Sequence, residues 1–136
     1  MKLFLDTNVV VDLCAGRQPY YADAAKIMEL AARHEISLIV SSLTIVNVAY
    51  VLRKAVGIDE MYAKLEAFLK YVDVSPIDES AVKSAISINR KDFEDAVQYY
   101  SASSYDADLI ITRDKSGFSG FPIEACSPTE FIGRCY

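Results

Sequence analysis

The stretch LFLDTNVVVD, Leu3–Asp12, decides how the rest of the chain is read. Leu3, Phe4 and Leu5 form a short apolar run, which suits a strand buried on both faces of a parallel sheet. Asp6 follows at once, at the carboxyl end of that strand. Thr7 and Asn8 have capping and turn chemistry, and Val9, Val10, Val11 and Leu13 continue as a first helix. Open α/β sheets place their ligands at the carboxyl edge of the strands. Asp6 alone reads equally well as a helix cap; carboxylates at other strand and helix ends would turn the edge into a site.

Outward from this stretch the pattern alternates. Tyr21–Ala32 is helical, with Ala25, Ile27, Met28, Leu30 and Ala31 apolar, and Ser37–Val40 is a second buried strand. A helix runs from about Thr44 through Leu52 and stops at Gly57, and a second amphipathic helix spans Asp59–Tyr71. Val72–Ile77 alternates and is cut by Pro76, as in a strand near the sheet edge. Asp78 caps a helix carrying Ala81, Val82, Ala85 and Ile88, and Asp92 caps the next, Phe93–Ser103. Leu109–Ile111 is a third buried strand ending at Thr112. Phe121–Glu124 reads as a last short strand, and Pro128–Ile132 as a helical turn with proline at its first position. Strands alternating with helices predict an α/β fold with a mostly parallel central sheet of four to five strands. The 136 residues, without repeats or low-complexity linkers, predict a single domain over 1–136.

The bulk properties exclude several classes. A formal charge of −5 rules out general electrostatic coating of nucleic acid, so a phosphate partner must be met by a local patch or through metal ions. Three cysteines without ligand spacing argue against both a disulfide framework and a zinc site, and predict a reducing, cytoplasmic setting. No apolar run has the length of a membrane span, so no membrane partner is expected. The single histidine, His34, lies between Arg33 and Glu35 at a helix end and reads as a surface residue.

Further carboxylates do fall at element ends. Asp114 follows the strand Leu109–Thr112 in TRD, just past its carboxyl end, and Asp95 lies in DFEDAVQYY, three residues after the cap Asp92. Asp92 and Asp95 together resemble a capping box. The apolar residues beside Asp95 leave its carboxylate either a polar cleft or solvent, and the helix N-terminus favours its charge by up to about 1 kcal/mol. Carboxylates converging from separate elements repel unless cations hold them. Hard divalent ions do so, and magnesium typically takes one or two carboxylates with waters and substrate phosphate. Such an ion activates water and neutralises a phosphodiester under attack.

With these pieces in place the chain resembles the PIN domain family, which includes many prokaryotic toxin ribonucleases. The resemblance rests on LDTNVVVD at Leu5–Asp12, SSLTIVNVAYVLRK at Ser41–Lys54, DFEDAVQYYSA at Asp92–Ala102 and ADLIITRDKSGF at Ala107–Phe118, in family order and at family-like spacing. It implies a three-layer PIN-like fold and a Mg2+- or Mn2+-dependent endoribonuclease. Asp6 would match the first acid, Asp95 the third and Asp114 the fourth, as catalytic residues and metal ligands. Thr112 would match the hydroxyl residue two positions before the fourth acid, with Asn8 supporting. The family's SxxTxxE pattern puts its second acid where this chain has Asn47. An amide oxygen can still ligate a cation but brings no charge, so the resemblance implies a weakened acidic pocket. Gly117 is a lesser departure, since related sequences often carry a polar residue there. Arg113 and Lys115 are the nucleic-acid-binding candidates, with Arg17 and Arg90 nearby, and the nine tyrosines offer stacking surfaces. For a toxin of the VapC type the partners would be RNA, an antitoxin protein and a second copy of the chain. The alternative is a catalytically impaired PIN-like module that binds nucleic acid or protein. An aspartyl phosphotransferase of haloacid-dehalogenase type fits poorly, because Asn8 stands where its second Asp would be, and a receiver domain lacks its acidic pair.

Overall fold

The structure, a computed structural model, describes residues 1–135. Five strands form one sheet in the order β3-β2-β1-β4-β5: β1 is Lys2–Leu5, β2 Ser37–Ser41, β3 Val72–Ser75, β4 Leu109–Ile111 and β5 Glu124–Cys126. Every pairing is parallel, with Leu3 opposite both Leu38 and Leu109. The helices are α1 (Thr7–Cys14), α2 (Tyr21–Ala32), α3 (Ser42–Val56), α4 (Ile58–Phe68), α5 (Glu79–Ile88), α6 (Phe93–Ser104) and α7 (Pro128–Cys135). None is long and apolar enough to cross a membrane.

Alternation along β1 divides the core. Leu3 and Leu5 pack with Val9, Ile27, Leu38, Val40, Val48, Leu52 and Ile111, the layer covered by α1 to α4 and α7. Phe4, with Ile39 and Ile110, faces the opposite layer, against Tyr99 and Ala102 of α6 and Phe118. All three β1 apolar side chains are essentially fully buried. Each contributes about 1.5–3 kcal/mol relative to exposure, which is why a three-residue run suffices to fix the central strand. Tyr99 belongs to this core, and Phe121 stacks on it at 3.9 Å and 10°.

Some boundaries differ from the sequence reading. The last strand is Glu124–Cys126, not Phe121–Glu124. Pro122 has no N–H to give a ladder, and the Phe121 ring serves the aromatic stack instead. Helix α1 begins at Thr7 with Asp6 as its N-cap, so Asn8 lies inside the first turn. Helix α4 ends at Phe68, α3 begins at Ser42, β3 stops at Ser75 before Pro76, and α7 extends to Cys135. Gly57, at φ 87°, ends α3 and starts α4, a conformation that favours glycine.

The strand order sets the position of the site. The chain moves from β1 outward through β2 to β3, then returns to add β4 and β5 on the other side of β1. The carboxyl ends of β1 and β4 therefore border the crevice where the winding reverses, and the Asp6 N–H donates to Ile111 O there at 2.9 Å.

Candidate metal centre

Asp6 leaves β1 and turns at once into α1. Its Oδ1 accepts the Thr7 N–H at 2.8 Å, so it is a helix cap. It is more than a cap, because its second oxygen accepts from the buried Thr112 hydroxyl at 2.8 Å and, more weakly, from Asn8 Nδ2 at 3.4 Å. Thr112 in turn accepts the Asp114 N–H at 3.0 Å, and Asn8 Oδ1 accepts the Arg113 N–H at 3.3 Å. Thr112 and Asn8 thus tie the end of β4 to the end of β1. Burial pushes the Asp6 carboxyl up, against the lowering effect of its Thr112 and Thr7 hydrogen bonds, and Asp92 and Asp114 push it further up.

Helix α6 enters the same crevice by its N-terminus. The Asp92 carboxylate accepts the Asp95 N–H at 3.1 Å, fixing the first turn. This aims the turn's acids at Asp6: carboxylate oxygens of Asp6, Glu94 and Asp95 lie within 4.8 Å of one another. Burial, then the charges of Asp6 and Asp92, push the Asp95 carboxyl up to about 7, and the same causes raise Glu94. Three acids held this close store repulsion that a divalent cation would relieve, and their hard oxygen donors suit Mg2+ or Mn2+. Glu94 was not singled out in the sequence. Its signal was its place beside Asp95 in the first turn of a capped helix.

Glycine at position 117 gives Asp95 its room. A Cβ on Gly117 would lie 1.7 Å from Asp95 Oδ2 and 2.7 Å from its Cγ. The departure at Gly117 is therefore matched to the pose of Asp95, whose carboxylate fills the space any side chain there would need. Asp114 is exposed and caps the 3-10 turn Lys115–Phe118, accepting from the Ser116 N–H at 3.2 Å and its hydroxyl at 2.6 Å. It stands near enough to Asp6 to affect its charge but outside the tight trio.

A buried hydroxyl and amide layer adjoins Asp6. Gln98 Nε2 donates to Thr44 Oγ1 at 2.9 Å and Thr7 Oγ1 at 3.2 Å, and the two hydroxyls share a hydrogen bond at 2.8 Å. Gln98 Oε1 is buried without a partner among the described residues. Gln98, one turn past Glu94 and Asp95, was also missed, since nothing local in the sequence marks an amide at that position. Asn47 is one turn beyond Thr44 on α3, half-buried, and its side chain makes no hydrogen bond among the described residues.

The two basic candidates both have carboxylate partners. Arg113 Nε donates to Asp12 at 2.6 Å, and its guanidinium lies 4.0 Å from the Tyr20 ring centre. Asp12 is 1% exposed and Arg113 29%, so this ion pair is mostly buried and braces α1 against the loop after β4. Lys115 pairs with Glu130 on the surface at 3.0 Å.

Comparison with known proteins gives a consistent result. The PIN domain family model matches residues 2–116. "Ribonuclease VapC1" of Aquifex aeolicus is 29% identical over 138 residues, covering 98% of this chain and 94% of that protein. Among solved structures, VapBC2 from Rickettsia felis bound to a promoter DNA fragment superposes with a TM-score of 0.70 at 17% identity, covering 93% of this chain and 98% of that one. Mycobacterium tuberculosis VapC20, a toxin that cleaves the sarcin–ricin loop, gives 0.67 at 14% identity, covering 88% and 95%.

Proposed function

The chain belongs to the PIN domain family, and from that premise we propose that it is a divalent-metal-dependent endoribonuclease, the toxin of a toxin–antitoxin pair. The observation that carries this reading is the convergence of Asp6, Glu94 and Asp95 within 4.8 Å at the crevice where the sheet winding reverses. The likeness to a ribonuclease over nearly the whole chain supports the substrate class. Neighbours solved as toxin–antitoxin complexes support an antitoxin partner. The reading also includes self-association as a homodimer and a cytoplasmic setting.

Asp6 and Asp95 would hold the ion, with Asp114 at the rim and Glu94 supplying the charge that Asn47 does not. Bound there, Mg2+ or Mn2+ supplies Lewis acidity toward a phosphodiester and its attacking water. The chain's own part is orientation. Thr112 and Thr7 hold the two oxygens of Asp6, Asn8 steadies them, and the Asp92 cap with the Gly117 space sets Asp95. The raised Asp95 carboxyl is only partly ionised near neutrality in the absence of a cation, and a bound cation would favour release of its proton.

The competing reading, a binding module without catalysis, draws on Asn47. Glu94 weighs against it, because the carboxylate count is restored from α6. The test is cleavage of labelled single-stranded RNA with Mg2+ or Mn2+ against EDTA, in wild type and Asp95→Asn. Metal-dependent cleavage lost in Asp95→Asn is expected. RNA left intact by the wild type with either ion would leave only the binding module.

A further inference from the structure

Beside the acids lies a second feature, whose cations and aromatic ring have no part in the metal centre. A cleft of about 570 Å³ opens between the N-terminus of α6 and the 3-10 turn, lined by Arg90, Lys91, Asp92, Phe93, Ser116 and Gly117. This volume is in the range of small-ligand pockets. The cleft is joined to the acids on both walls: Gly117 abuts the Asp95 carboxylate, and the Ser116 hydroxyl donates to Asp114 at 2.6 Å.

Its lining differs from the rest of the rim. Arg113 and Lys115 spend their charge on Asp12 and Glu130, whereas Lys91 is exposed and has no carboxylate partner among the described residues. Arg90 is held in place. It donates to Ser119 O, and its guanidinium lies 4.1 Å from the Phe121 ring centre, which itself stacks on core Tyr99. Those contacts fix the plane of the guanidinium and leave it further N–H donors. Phe93, the first residue of α6, is 47% exposed, a large apolar side chain open to solvent at the cleft. Asp92 is the one acid of the lining, and its carboxylate caps the Asp95 N–H. A flat apolar ring beside two cations, one braced and one free, matches the two halves of a nucleotide. The ring offers a base its face, and the cations offer its phosphate a charge.

We propose that this cleft seats one nucleotide of the RNA next to the scissile phosphodiester, its base stacked on Phe93 and its phosphate met by Lys91 and Arg90. The proposal rests on the ribonuclease reading, and it gives an acidic chain the local patch it needs to hold a polyanion. It is tested on the full chain with a fluorescein-labelled single-stranded RNA of mixed sequence, by anisotropy in EDTA and by cleavage with Mn2+. Phe93→Ala is expected to weaken binding about tenfold and to raise KM more than it lowers kcat. Phe93→Trp is expected to restore affinity to within about twofold of wild type. Lys91→Ala, at an exposed position, is expected to reduce the slope of log affinity against log salt by about 0.7. If wild type cleaves RNA while Phe93→Ala and Lys91→Ala bind within about twofold of it, with an unchanged salt slope, the cleft is not the seat and the ribonuclease reading survives. If wild type neither binds nor cleaves RNA, both fall together.

Discussion

Gly117→Ala places one methyl group against the carboxylate of Asp95. The new Cβ would stand 1.7 Å from Asp95 Oδ2, and real Cβ contacts essentially never fall below 3.0 Å, so the carboxylate must retreat by more than about 1 Å. The backbone is under no such demand, because Gly117 does not have the positive φ of Gly57. The obstacle is the end of a flexible side chain, so the fold has a cheap escape. Driving Asp95 off its rotamer costs about 0.5–1.5 kcal/mol, and alanine returns about 0.4–1 kcal/mol by restricting the unfolded chain. The melting temperature is therefore expected to move by less than about 5 °C. Activity has no such offset. A catalytic group misplaced by about 1 Å costs on the order of a hundredfold in rate. The assay is paired: thermal melting, and RNA cleavage with saturating Mn2+. Gly117→Ala cleaving within about threefold of wild type would refute the claim that the Asp95 pose matters, since the predicted loss is far larger.

Other expectations follow from the same geometry. The Asp95 carboxyl stands at about 7 in the folded protein and near 4 in an unfolded chain. The folded state keeps a proton that the unfolded state has lost, so stability without metal should fall as pH rises from about 4 to about 7. Melting curves across that range should show a slope that Asp95→Asn reduces; parallel curves would contradict it. Arg113→Ala leaves the buried Asp12 charge unpaired, at a cost of about 3 kcal/mol, the lower end for a buried pair because the guanidinium keeps an exposed edge. Denaturant unfolding should register it, and a loss below about 1 kcal/mol would mark the pair as an ordinary surface bridge. Asn47→Glu should raise Mn2+ affinity by less than about tenfold, or about 1.4 kcal/mol, because Glu94 already supplies a carboxylate. Cleavage appearing only in that variant would instead favour the binding module.

Much of this was legible in the chain because the signals were local. Three apolar residues followed by an aspartate fixed β1 and its edge, and Asp92 three residues before Asp95 fixed the start of α6. The family resemblance supplied Thr112 and Asn47, and the structure places Thr112 on Asp6. What stayed hidden depended on side chains meeting across elements. Glu94 reads as a solvated neighbour until Asp6 is placed opposite it, and Gln98 until Thr7 and Thr44 close on it. Arg113 looked like a phosphate contact because its partner, Asp12, is 101 residues away in sequence. Phe121 looked like a strand residue because ring stacking and strand pairing draw on the same apolar letter.

The proposed function requires these carboxylates to hold a cation. The most direct measurement is calorimetric titration of the wild-type chain with Mn2+ at about pH 7.5, above the Asp95 value, beside Asp6→Asn and Glu94→Gln. Saturable binding below about 1 mM is expected, weakened about tenfold or more in each variant. Absence of binding in the wild type at millimolar Mn2+, or equal binding in all three proteins, would contradict it.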